Sequence, residues 1–75
     1  MFKINLQSIS SVKDFVGFTN AFDGDVTLKS GRYIVDGKSI MGIFSLDLSK
    51  PIEVEITPIE KAEAFKEQIK DFIVK

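Results

Sequence analysis

Along three short segments of this chain the apolar residues fall at every second position. Phe2, Ile4 and Leu6 alternate with Lys3, Asn5 and Gln7, Val26 and Leu28 with Thr27 and Lys29, and Ile52, Val54 and Ile56 with Glu53 and Glu55. Successive side chains of a β-strand point to opposite faces, so each of these segments reads as a strand with one apolar and one wetted face. A sheet built that way must bury its apolar face under a second layer, and the remaining segments have to supply it. With 75 residues there is material for one core and one domain, spanning 1–75.

The covering layer is legible as helices. Ser8 to Ser11 provide hydroxyls suited to starting a helix, and Ser11 with Asp14 three residues on approximates a capping box, with Asp in place of the usual Glu or Gln. Val12, Phe15, Val16 and Thr19 follow at helical spacing, with Phe22 closing the contact and Lys13, Asp14 and Asn20 on the solvent side. Asp23-Gly24 marks a turn into the second strand, and Ser30-Gly31 a hairpin into a third strand, Arg32-Tyr33-Ile34-Val35, which Asp36-Gly37 closes. From Ser39 to Leu46 a short helix is expected, then the Ile52–Ile56 strand between Pro51 and Pro58. Ala62, Phe65, Ile69, Phe72 and Ile73 lie on one stripe, which predicts a single final helix over Glu60–Lys75, with Glu60 and Glu63 at its start and Lys70 and Lys75 at its end. The order is β-α-β-β-α-β-α, an α+β fold with the helices on one side of the sheet.

Composition narrows the chemistry. The chain has no Cys and no His, so disulfides, thiolate metal sites, histidine acid–base catalysis and cysteine nucleophiles are all excluded, and no metal or cofactor is expected. Its carboxylates do not pair as acid and base: Asp23, Asp25 and Asp36 are turn residues, and Glu53 and Glu55 share one strand face. Gly24, Gly31 and Gly37 sit in separate turns and form no phosphate-cradling loop. An enzyme is therefore not expected. A net charge of −1 without runs of like charge speaks against nucleic acid, and no apolar run approaches the ~20 residues that cross a bilayer. The opening MFKINLQSIS lacks the apolar core of a signal peptide, so the expected location is the cytoplasm.

This element order, and above all the run Gly37-Lys38-Ser39-Ile40-Met41-Gly42-Ile43-Phe44-Ser45-Leu46, resembles the HPr family, the phosphocarrier proteins of the bacterial sugar phosphotransferase system. Family members commonly read Lys-Ser-Ile-Met-Gly-Val-Met-Ser-Leu there, and Phe22-Asp23-Gly24-Asp25-Val26 is similar to the family's passage from first helix to second strand. The resemblance implies an open-faced β-sandwich, a four-stranded antiparallel sheet with three helices on one face. It also implies protein partners: an HPr kinase, enzymes of the sugar system or a transcriptional repressor. In the active loop the chain departs from the pattern. Where the family has Gly-Ile-His-Ala-Arg-Pro-Ala, this chain has Leu6-Gln7-Ser8-Ile9-Ser10-Ser11-Val12, so Ser8 stands at the position of the active histidine and Ser10 at that of the arginine. Carriage needs an imidazole nitrogen that forms a labile N–P bond, and a serine ester does not replace it. The expected function is that of a non-catalytic, HPr-like regulatory or adaptor protein.

Two features carry that expectation. Ser39 precedes an apolar run at the place of a helix N-cap, and by resemblance it is the serine phosphorylated by the dedicated kinase in regulatory members. A plain structural cap accounts for the residue equally simply. Ile40, Met41, Ile43, Phe44 and Leu46 offer more apolar surface than one helix face can bury. Ile43 and Leu46 are expected to face the sheet, and Ile40, Met41 and Phe44 to form a docking patch. Alternatively the patch is ordinary exposed apolar surface, or the C-terminal segment folds over it. Ser8, Ser10 and Ser11 read as capping residues with no catalytic role. The other function class left open is a general protein-interaction or structural domain that kept only the fold.

Overall fold

The computed structural model describes residues 2–74. Its elements run β1 (Phe2–Ile4), α1 (Ile9–Ala21), β2 (Asp25–Ser30), β3 (Tyr33–Asp36), α2 (Ile40–Phe44), β4 (Ile52–Thr57) and α3 (Ala62–Gln68), with 3₁₀ turns at Ile59–Lys61 and Lys70–Phe72. The four strands form one sheet in the order β1-β4-β2-β3, and all neighbours are antiparallel. The alternation seen in the sequence decides which face is covered. Ile4, Val26, Leu28, Ile52, Val54 and Ile56 are buried, whereas Lys3, Glu55 and Ile34 remain exposed on the other face and Glu53 and Lys29 are half-buried there.

The helices meet that apolar face through a second row of buried residues: Val12 and Phe15 from α1, Ile43 from α2, and Phe65 and Ile69 from the C-terminal segment. Phenylalanines tie α1 to the chain end. Phe15 packs edge-on against Phe65 and Phe72, with centroids 6.4 and 6.0 Å apart, and Phe22, at the C-cap of α1, lies 4.9 Å from Phe65. Such edge-to-face arrangements let the positive rim of one ring meet the negative face of another.

In three places the structure differs from the sequence reading. The N-cap of α1 is Ser8, whose Oγ accepts the Ser11 amide at 3.1 Å, so Ser11 and Asp14 form no capping box and Asp14 is solvent-exposed. By composition any of the three serines Ser8, Ser10 and Ser11 could cap the helix; Ser8 does so, and Val12, Phe15 and Thr19 take the buried face. The β2–β3 hairpin turns at Gly31-Arg32, one residue later than expected, with Gly31 at φ +59°, a left-handed conformation that suits glycine. The largest difference is the last helix. It ends at Gln68, passes through a 3₁₀ turn, and gives way to an extended end in which Ile73 bridges to Ile4. The free edge of β1 captures this end: the Asn5 amide donates to Phe72 O and the Val74 amide to Lys3 O, both at 2.9 Å. Lys75, expected at the helix end, lies outside the described residues.

Candidate functional site

The passage from β3 into α2 holds the residues singled out for function. Gly37 sets its course. The Gly37 amide donates to Val26 O at 2.7 Å, and a Cβ at this position would stand 2.5 Å from Val26 Cγ1, so only glycine brings the backbone this close to β2. On the other side Thr19 of α1, the one buried polar side chain among the described residues, donates its hydroxyl to Gly37 O at 2.9 Å and also reaches Val16 O at 3.1 Å. Lys38 extends from the same passage to Phe22 O, at 3.1 Å, at the end of α1. The approach to α2 is thus held from β2 and from α1.

Ser39 is the N-cap of α2. Its backbone is extended, its Oγ accepts the Gly42 amide at 3.1 Å, and its carbonyl accepts the Ile43 amide at 3.0 Å. Its own amide donates to Asp36 O, and the Asp36 carboxylate accepts the Lys38 amide, a compact turn that presents the serine half-buried. Gly42 fits beneath it: a Cβ there would meet Ser39 Oγ at 3.3 Å and Val35 Cβ at 3.4 Å. The Gly42 amide faces the serine oxygen, and the short helix gives that end a partial positive charge.

The apolar run divides as its spacing requires. Ile43 and Leu46 are buried against the sheet, while Met41 is 76% and Phe44 39% exposed. Ile40 is half-buried and packs partly on the core, so the outward surface of α2 rests chiefly on Met41 and Phe44. The C-terminal segment does not cover Met41. Ser8 and Ser10 are exposed at the start of α1, where Ser8 Oγ also donates to Ser11 Oγ at 3.0 Å.

Ionisation is shifted elsewhere, on the open face of the sheet and in the loop before β4. The hydrogen bond and charge of Lys29, 2.9 Å away, hold the Glu55 carboxyl below its usual range, and Glu55 in turn raises Lys29. Hydrogen bonds from the Ser49 hydroxyl and amide lower Asp47. These are exposed surface pairs and no acid–base constellation joins them to Ser39 or Ser8.

A family model described as the PTS HPr component phosphorylation site matches residues 7–75. The chain belongs to the PTS-HPr family. The match begins at the loop before α1 and continues through the C-terminal segment. The α+β architecture, four antiparallel strands beneath three helices, is the open-faced sandwich expected of an HPr protein. The HPr family is one of phosphocarriers of the phosphotransferase system that act through protein partners, and not of catalytic enzymes. No curated protein matches the chain. Among the described residues no helix is long and apolar enough to cross a membrane.

What the sequence did not disclose is the role of Thr19, whose signal was a single hydroxyl in an otherwise apolar helical stripe. Position alone gave it to the core; its bond to Gly37 needs the fold.

Proposed function

We propose that this HPr-family chain is a non-catalytic regulatory or adaptor protein of the bacterial cytoplasm, related to the sugar phosphotransferase system but without histidine phosphocarrier activity. The observation that carries this reading is the absence of any histidine in a chain matched by the family model over residues 7–75. With Ser8 at the place of the active histidine and its oxygen engaged in capping α1, the family's N–P chemistry has no acceptor. What the chain keeps is the α2 surface. Met41 and Phe44, with the outer part of Ile40, form an apolar contact for an enzyme of the sugar system, an HPr kinase or a transcriptional repressor.

Ser39 is the proposed control point. A phosphate on Oγ would bring a charge of about −1.5 to −2 to the Gly42 amide and the positive end of α2, and its ester oxygen would stay at the capping position. Lys38, anchored on Phe22 O, is the nearest cation in sequence, and Asp36 the opposing carboxylate. Phosphorylation would thereby change the charge beside Met41 while leaving the fold in place.

The test is incubation with an HPr kinase and ATP, read by intact mass and fragmentation, with Ser39→Ala as control and authentic HPr as a positive control for the kinase. One phosphate at Ser39, absent in the variant, supports the regulatory reading. An unmodified protein beside modified HPr reduces Ser39 to a structural cap and leaves a general interaction domain as the function.

A further inference from the structure

Strand β3 ends the sheet, and among the described residues no strand pairs with its outer edge, where the Asp36 carbonyl is taken by the Ser39 amide at 3.0 Å. Its backbone polarity is fixed by the ladder to β2. Gly37 donates to Val26 O directly opposite, so in the same register Val35 and Tyr33 turn their amides toward β2. Ile34 and Asp36 therefore turn theirs outward. The side chains along this edge are unusual for one left open: Tyr33 is 67% and Ile34 66% exposed, flanked by Arg32 on one side and Asp36 on the other. Edge strands of monomers are normally blunted by charged side chains, proline, a bulge or a covering helix or loop, and here two exposed apolar side chains, Tyr33 and Ile34, lie between the charges.

We propose that the β3 edge pairs with the β3 edge of a second copy of this chain, antiparallel about a two-fold axis through Ile34. Charge complementarity selects the occupant and the register. Centred on Ile34, the pairing sets Arg32 opposite the partner's Asp36 and Asp36 opposite the partner's Arg32, while Ile34 meets the partner's Ile34 on the open face of the sheet. On the helix-bearing face, Tyr33 lies opposite the partner's Val35, which is half-buried already. The outward amides match this register. Each Ile34 amide meets the other's carbonyl, and each Asp36 amide meets an Arg32 carbonyl, giving four backbone hydrogen bonds. Sliding by one residue would set Tyr33 against Asp36, lose both charge pairs and aim bonding groups between partners. So short a contact falls below the area of stable dimers, so the association is weak. It does not rest on the function proposed above, although Gly42 of α2 packs against Val35 beside this edge.

Sedimentation equilibrium over micromolar to millimolar protein tests this with three forms of the full chain. The parent is expected to dimerise reversibly. Arg32→Glu and Asp36→Lys each place like charges opposite one another twice, and each alone should weaken self-association about tenfold. Mixed in equal amounts, the two variants restore both opposite-charge pairs and should associate at least as well as the parent. Circular dichroism confirms that each is folded, and because Asp36 also accepts the Lys38 amide, Arg32→Glu alone decides if Asp36→Lys does not fold. A parent that stays monomeric at millimolar concentration overturns the proposal. So does a dimer indifferent to Arg32→Glu, or a mixture no stronger than the separate folded variants.

Discussion

Replacing Thr19 with valine tests how the approach to α2 is held. The two side chains have nearly the same shape, so the change removes the hydroxyl and puts a methyl group where it was. Thr19 is fully buried, and its hydroxyl is the donor to Gly37 O at 2.9 Å. In Thr19→Val that carbonyl stays buried without a donor, which costs about 1–3 kcal/mol. The new methyl recovers up to about 0.8 kcal/mol by burial, and Val16 O, which also accepts from Asn20 Nδ2, loses little. The net expectation is a loss of about 1–2 kcal/mol, or roughly 4–16 °C in Tm for a domain of this size. Urea unfolding followed by far-ultraviolet circular dichroism measures it, with Thr19→Ser keeping the hydroxyl as the comparison. Amide exchange at Gly42 and Ile43 should quicken in Thr19→Val more than exchange in β4. A Thr19→Val protein as stable as the parent, with exchange in α2 unchanged, would refute the view that this bond anchors the turn into α2.

Further outcomes follow from the same contacts. Gly37→Ala should cost about 2 kcal/mol or more in urea unfolding, because its Cβ must displace Val26 and stands 3.0 Å from Val26 O. Ser8→Ala should cost about 1 kcal/mol and Asp14→Ala close to nothing, since Ser8 and not a Ser11–Asp14 box caps α1. Ser39→Ala should likewise lose about 1 kcal/mol through the Gly42 amide, with the fold intact by circular dichroism. The Glu55 carboxyl is lowered in the folded protein, so its contribution is present above the ordinary carboxylate range and fades as pH falls through its depressed folded value. Any stability difference between the parent and Glu55→Gln should therefore shrink on acidification, and in high salt as well, because the Lys29 pair is exposed.

The parts legible in the sequence were those with one dominant physical signal. Val26, Leu28, Ile52, Val54 and Ile56 alternate cleanly, and an alternating strand has only one way to face a core. Ile43 and Leu46, three residues apart, likewise could only face inward together. The C-terminal segment carried two signals that agree up to Ile69 and then diverge. Phe72 lies three residues after Ile69, a spacing that an α-turn and a 3₁₀ turn serve equally well. Ile73-Val74 are β-branched residues that pair well in a strand, and the vacant edge of β1 decides in their favour, a partner dozens of residues away that local periodicity cannot reveal. At the candidate site, the capping role of Ser39 and the exposure of Met41 were visible in advance. The half-burial of Ile40 was not, because it depends on how close α2 is drawn to the sheet by Gly37 and Gly42.

The most direct test of the central claim is a titration of the isotopically labelled chain with the sugar-system enzyme that phosphorylates HPr, in the presence of its phosphoryl donor. Amide shifts and bound phosphate are followed together, and Met41→Asp serves as the comparison. An HPr-like adaptor that has lost carriage should show shifts concentrated on α2, strongly reduced in Met41→Asp, and no phosphate on any residue. Phosphate transfer to the chain, or binding that ignores Met41, would contradict it.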